Sequence, residues 1–300
     1  MKVSGFTFIR DGVRFGYPFV ESIRSALPVC DEFIVAAGRS SDDTLERLRE
    51  IDDPRLRIIE TTWNEHCRSQ GFVYSQQKMI AQYNCTGDWA FYLEGDEILH
   101  EDDVARLREA MEHYLDKPEV EVLAFDYYHF YGDVEHLNVT PHVYRKAARI
   151  IRNDIRSIAP DGLYWAVIKK QNWLGRRNKR RNRYPRAAAI GIPIYHYGNA
   201  RAEHYLAPRA QVVNQYWGNR NIWPSNYGRL DPTMIVPFTG THPAVIRDWI
   251  EAHSNKGFVV DSNYRLTMRD RKHRFLRRLE GIFGWDFSKR HSHVVTTQRK

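Results

Sequence analysis

The stretch "GDWAFYLEGDEILHEDD", Gly87 to Asp103, decides the reading of this chain. Its front half, "WAFYL", has the composition of a buried strand, yet it runs directly into Glu94, Asp96, Glu97, Glu101, Asp102 and Asp103. Carboxylates that converge at a strand end repel one another unless a positive group lies among them, so a metal ion or a raised pKa is the physical expectation. Glu94 and Asp96 flank Gly95, which permits a turn or the close approach of a ligand. Oxygen ligands of this kind suit magnesium or manganese, which bridge carboxylates and substrate phosphates. Glu101, Asp102 and Asp103 read more simply as charges in the first turn of the next helix, favourable against its dipole.

Working outward, "KVSGFTFI" (Lys2 to Ile9), "EFIVAAG" (Glu32 to Gly38), "LRIIETTW" and "DWAFYLEGDE" read as four strands. Between them "YPFVESIRSAL" places Phe19, Ile23 and Leu27 at helical spacing, "SSDDTLERLREI" opens with acidic residues, and "YSQQKMIAQYN" is helical. Strands alternating with short helices predict an α/β fold with a mixed, mostly parallel sheet and helices on both faces. Ligands of such sheets bind outside the carboxyl ends of the strands, which is where the acidic cluster falls. Further on, "EDDVARLREAMEHYL" predicts a helix and "VEVLAFDYYHFYG" an aromatic strand. Residues from roughly 140 to 200 read as shorter, irregular and basic, ending in "IGIPIYHYGNAR"; beyond them the pattern is helical, as in "PFTGTHPAVIRDWIEAH".

At 300 residues the chain can bury one large core or two modest ones. Three widely spaced cysteines, Cys30, Cys67 and Cys85, make neither a zinc site nor a disulfide framework and fit a reducing compartment. The first apolar run is too short for a signal peptide, and no segment reaches the ~18 apolar residues of a membrane span. The expectation is a cytoplasmic protein, soluble or peripheral at the inner face of the membrane. "NCT" at Asn84 and "NVT" at Asn138 match the glycosylation pattern by chance in that setting. The net charge of +8 is uneven: no acidic residue lies between Asp161 and Glu203, and Lys169 to Arg186 carries nine Lys or Arg. A second basic run spans Arg265 to Arg278. Such patches point to substrate phosphates, nucleic acid or an anionic membrane, or else to solvated surface.

Several motifs in order carry a resemblance. "GDWAFYLEGDE" resembles the metal-binding D-x-D segment of family 2 glycosyltransferases with the GT-A fold. "FTFIRDGVRFGYPFVESIRSALPVCDEFIVAAGRSSDDT" is similar to that family's first βαβ unit, "QQKMIAQYNCTGDW" to the segment in which a Lys precedes the motif, and "YHYG" to its later His-containing strand. The resemblance spans about residues 3 to 205. It implies a GT-A-like domain over 1–205, with a nucleotide-binding part (1–100) and an acceptor part (101–205), followed by a helical basic extension (206–300). It implies Asp96 as principal metal ligand, His196 as a second metal or diphosphate ligand, and Glu94 on ribose or metal. Ile9, Arg10, Gly38 and Ser40 would meet the nucleoside and Lys78 phosphate.

The implied activity is a metal-dependent, inverting transfer of a sugar from a nucleotide-sugar to a hydroxyl of a glycan or glycolipid, phosphorylated or membrane-borne where the basic segment faces it. Inversion needs a base, for which Asp161 in "PDGLYW" is the candidate and Asp126 and Asp133 the competitors. Tyr127, Tyr128, Phe130, Tyr164 and Trp165 offer either a sugar platform or core packing. Glu94 stands where the family has Asp, and Ala37 and Arg39 stand near its base-reading Asp, which leaves the nucleotide open. Two further readings stay open: a transferase acting on nucleic acid, and a catalytically degenerate binding module.

Overall fold

The computed structural model describes residues 1–168, 182–217, 226–227, 230–261 and 263–288, and the backbone of 293–297. Most of the basic run Lys169 to Arg186, its residues 169–181, lies outside the described residues. The first half runs β1 (Val3–Ile9), α1 (Phe19–Ala26), β2 (Glu32–Gly38), α2 (Thr44–Arg49), β3 (Leu56–Thr61), α3 (Phe72–Gln82) and β4 (Trp89–Tyr92). Then come β5 (Glu97–Leu99), α4 (Val104–Leu115), β6 (Val122–Tyr131), β7 (His136–Asn138), β8 (Lys146–Arg152), β9 (Ser157–Ile158), β10 (Ala166–Val167) and β11 (Arg186–Asn199). The chain continues through α5 (Leu206–Gln215), β12 (Ile235–Pro237), α6 (Arg247–His253), α7 (Met268–Phe283) and β13 (His293–Thr297).

This is an α/β fold around a mixed sheet whose order is β12-β7-β6-β8-β4-β1-β2-β3, with β11 beside β6. The strands of the first half, β3-β2-β1-β4, are all parallel, as their helical crossovers require. β8 inserts antiparallel between β4 and β6. Alternation of side chains across the sheet fills two cores. Phe33, Val35, Trp89 and Phe91 pack with Ile23 of α1 and Leu107 and Met111 of α4 on one face, whereas Phe6, Ile34, Ala90 and Tyr92 meet Met79 and Ala81 of α3 on the other. The absence of a side chain at Gly5 lets β1 lie against Phe33, since a Cβ there would come within 2.3 Å of that ring.

The region expected to be irregular holds β8 and the 14-residue β11, which pairs with β6, β5 and β13. The expected helical extension likewise contributes two strands, β12 pairing with β7 and β13 with β11. The fourth strand stops at Tyr92, so Glu94–Gly95–Asp96 forms a turn and Glu97 begins a separate strand antiparallel to β11. Among the described residues no helix is long and apolar enough to cross a membrane.

Candidate active site

The turn after β4 lies at the carboxyl end of the parallel strands, and two buried arginines from distant elements hold its carboxylates apart. Arg149 of β8 has no exposed surface. Its Nε donates to Glu97 Oε2 at 2.7 Å and its Nη2 to Glu97 Oε1 at 2.6 Å and Glu94 Oε1 at 3.0 Å. Arg201, also fully buried, donates from Nη2 to Asp96 Oδ2 at 3.2 Å and to the Gly198 carbonyl at 2.8 Å. Glu94, Asp96 and Glu97 thus pair with two guanidiniums, and a third, Arg209, acts on Asp96 through space. Burial and then Glu97 push the Glu94 carboxyl up to about 7 despite Arg149. Burial would also raise Asp96, but His196 and Arg201 hold it well below the usual carboxylate range.

His196, near the end of β11, faces the same carboxylate: its Nε2 lies 3.6 Å from Asp96 Oδ1. Its Nδ1 is 2.9 Å from His129 Nδ1, and His129 Nε2 is 2.6 Å from the Tyr144 carbonyl. A carbonyl only accepts, so His129 carries its proton on Nε2. Burial and the neighbouring His196 lower the His129 pKa to about 3, which keeps it neutral, so its Nδ1 must accept from His196 Nδ1–H. That fixes His196 with Nε2 toward Asp96. Burial disfavours charge on this ring, yet Asp96 outweighs it and raises the His196 pKa.

Residues 96, 196 and 198 fit a divalent cation in one further respect. A Cβ at Gly198 would lie 2.7 Å from both Asp96 Oδ2 and His196 Nε2, so only glycine leaves the space between carboxylate and imidazole open. Among the described residues no three His, Cys, Asp or Glu side chains form a metal-holding group. Two protein ligands completed by phosphate oxygens and water is nonetheless an ordinary arrangement for magnesium.

The pair opens onto a cleft of about 1110 Å³ lined by Ile9, Arg10, Asp11, Glu94, Asp96, Asp161, His196 and Arg209, among others. Six of the nine site residues expected from the sequence therefore share one cavity. Gly38, Ser40 and Lys78 do not line it. The space over Gly38 is taken by Trp63, whose Nε1 lies 2.3 Å from where a Cβ would stand. Ser40 Oγ accepts from the backbone N–H of Asp11 at 3.0 Å. Lys78 is fully buried and donates to the carbonyls of Gly162 and Leu163 at 3.2 and 3.3 Å, with the rings of Tyr92 and Trp165 about it. Burial pushes its pKa well below the ordinary lysine value. In this position the amine braces the Asp161 turn from behind.

Asp161 Oδ1 accepts from the N–H groups of Leu163 at 2.8 Å and Tyr164 at 3.3 Å, the turn chemistry of an Asp before Gly. Of its competitors, Asp126 is paired with Lys146 and Asp133 with His136, and neither lines the cleft. The aromatic residues weighed as a platform are largely structural. Trp165 is buried with its Nε1 on Gln82, Tyr127 donates to Glu97, and Phe130 stacks on Tyr197. The rings that do line the cleft include Phe8, Trp63, Tyr74 and Tyr216.

Sequence reasoning missed Asp11, His129, Arg149, Arg201 and Arg209. Asp11 carries a positive φ of 51° while its Oδ1 accepts from Ser41 N at 2.7 Å, a strained backbone at the end of β1. The sequence signal for Arg149 is an arginine inside the apolar run "AARII".

No family model matches the chain, and no curated protein matches it. Among solved structures it is similar to S. aureus TarS 1-349 in complex with UDP, at 17% identity and TM-score 0.35 over 51% of this chain and 47% of that one. It is also similar to glucosyl-3-phosphoglycerate synthase from Mycobacterium tuberculosis in complex with Mn2+, UDP and phosphoglyceric acid, at 15% identity and TM-score 0.31 over 42% of this chain and 43% of that one. The match spans less than half the length of each of these two structures.

Proposed function

We propose that the protein is a GT-A-like glycosyltransferase that moves a sugar from a nucleotide-sugar to a hydroxyl acceptor, with inversion. The observation that carries this reading is the Asp96–His196 pair held open across Gly198 at the carboxyl end of the sheet. Asp96 and His196 would hold a magnesium or manganese ion. Such an ion, when bound, offsets charge on a departing diphosphate. Arg209, buried at the cleft wall with its Nε on the Tyr17 hydroxyl, supplies fixed positive charge on the same side. Arg10 and the rings of Phe8, Trp63 and Tyr216 suit the nucleoside end.

The transfer breaks the bond from the anomeric carbon to the diphosphate oxygen, which leaves with the electron pair. The acceptor oxygen attacks the opposite face of that carbon and loses its proton. Asp161 is the base in this reading: one carboxylate oxygen is held by the turn and the other is available to a hydroxyl. Lys78 and Arg149, both donating to the Leu163 carbonyl, fix the loop that carries it.

One observation favours a second reading, a degenerate module that binds without turnover. Arg201 already compensates Asp96, so the carboxylate is satisfied with no ion present. A thermal-shift screen of nucleoside diphosphates and nucleotide-sugars, with and without manganese, separates the readings. Binding to the native state alone contributes about 2.7 kcal/mol at a ligand concentration a hundredfold above Kd. A manganese-dependent rise for one nucleotide, absent in Asp96→Asn, together with release of its diphosphate on incubation, supports the transferase. A rise without release favours the module. No rise with any nucleotide refutes both.

A further inference from the structure

We propose that α7 and the aromatic residues beyond it seat the protein on an anionic lipid surface, a role that does not depend on the catalytic reading above. The helix is well defined: Thr267 and Asp270 form a capping box at its start, and Gly284 ends it in the left-handed conformation at φ 66°. Its amphipathicity is inverted with respect to the body it docks on. The inward contacts are polar: Arg274 donates to Asp231 at 2.7 Å, Arg277 to the Thr233 carbonyl at 2.8 Å, Arg145 to Glu280 at 2.6 Å, and His273 stacks on His142. Most of the larger apolar residues turn outward instead, while Leu276 and Leu279 are half-buried. Met268, Phe275 and Ile282, spaced seven apart, are 79%, 61% and 62% exposed. A helix of a globular protein ordinarily does the reverse.

The stripe continues past the helix end. Phe283 stacks on Trp285 with ring centroids 4.8 Å apart, and Trp285 is itself 54% exposed. Arg271, Lys272 and Arg278 flank the stripe and are exposed, while the two acidic residues of the helix, Asp270 and Glu280, are drawn inward by Thr267 and Arg145. The outward face is therefore apolar and aromatic with cationic flanks, and Asp286, the half-buried carboxylate beside Trp285, is paired with Arg145. That combination matches the headgroup region of an anionic bilayer, where apolar side chains enter the acyl boundary and basic ones meet lipid phosphates. A second copy of the chain would meet like charges on this face and suits it less well. Arg269 and His273 of the same helix line the cleft, so docking on this face would bring the cleft beside the bilayer.

The test is co-sedimentation of the full chain with vesicles of phosphatidylcholine alone and of phosphatidylcholine with phosphatidylglycerol. Binding is expected only to the anionic vesicles and should weaken with salt. Each basic side chain at such a surface is worth about fivefold, so Arg271→Gln/Lys272→Gln/Arg278→Gln should weaken partition on the order of a hundredfold. Phe275→Ser/Ile282→Ser/Trp285→Ser should abolish it with the melting temperature retained, because these side chains pack little against the body. The single variant Phe275→Ser guards against a folding defect and should weaken binding measurably. Equal binding by the apolar triple variant, or binding to neutral vesicles alone, overturns the proposal. So does a wild-type dimer in sedimentation velocity, dispersed by Phe275→Ser, with no vesicle binding.

Discussion

Replacing Arg149 by methionine tests whether arginine, before any ligand binds, is what allows the carboxylates to gather. The side chain is fully buried and makes a two-pronged pair with Glu97 at 2.7 and 2.6 Å, plus single contacts to Glu94 at 3.0 Å and the Leu163 carbonyl at 3.0 Å. Methionine fills much of the volume and removes every donor. Glu97, with no exposed surface, is left an uncompensated buried charge beside Glu94. Breaking one side of a buried pair costs about 3–5 kcal/mol, a large share of the ~5–15 kcal/mol that holds a native protein together.

The sign of the pH dependence follows. Burial and Glu97 already raise the Glu94 carboxyl to about 7 against the pull of Arg149, so without Arg149 its folded-state pKa rises further above the unfolded value. This part of the loss is small at pH 5, where Glu94 is protonated either way, and grows as pH climbs past neutrality. Urea denaturation followed by circular dichroism at pH 5 and pH 7.5 should show Arg149→Met destabilised at both, with the larger deficit at pH 7.5. Arg149→Met/Glu97→Gln should recover part of it at the higher pH. A deficit under about 1 kcal/mol, or one independent of pH, would refute this account of the charge balance.

Other consequences follow from particular contacts. Lys78→Met should cost about 1–3 kcal/mol by leaving the Gly162 carbonyl without its donor and the Leu163 carbonyl with Arg149 alone, and should speed proteolysis of the 160–165 loop relative to the rest of the chain. Gly5→Ala should cost about 1–3 kcal/mol in thermal denaturation, because its Cβ would meet the Phe33 ring at 2.3 Å and Cys30 Sγ at 2.7 Å. Hydrogen bonds from Arg274 lower the Asp231 pKa, so the contribution of this pair is present above the ordinary carboxylate range and is lost as pH falls through the folded value. Hydrogen exchange should accordingly show α7 opening before β1–β4 do once the pH falls below the ordinary aspartate range, and not at the milder acidity above it.

The parallel half of the sheet was legible because β1, β2 and β4 alternate between two cores and short helices separate them. Of the later half, β6 was legible as an aromatic strand, but β8 and most of β11 were not. β11 reads as irregular since it is rich in Ala and interrupted by Gly191 and Pro193, and its strand character comes from pairing with β6 and β5 rather than from its own pattern. The acidic turn was legible as a site, but its partners were not: Arg149 lies 55 residues from Glu94, and Arg201 lies 105 from Asp96. No local spacing encodes contacts that only the insertion of β8 beside β4 creates. The same holds for Lys78, whose exposure or burial depends on whether the 160–165 loop folds over it. Equally hidden was the use of Tyr127 and Trp165 as hydrogen-bonding core residues, because partners on Glu97 and Gln82 are fixed by tertiary packing.

The most direct test of the central reading is an electron paramagnetic resonance titration of Mn2+ with the protein and a nucleoside diphosphate, comparing wild type with Gly198→Ala. The added methyl would lie 2.7 Å from Asp96 Oδ2 and His196 Nε2 and change no charge. The account predicts protein-bound Mn2+ in the wild type and its loss in a folded Gly198→Ala protein. Undiminished Mn2+ binding in that variant would place the cation elsewhere and contradict the Asp96–His196 site.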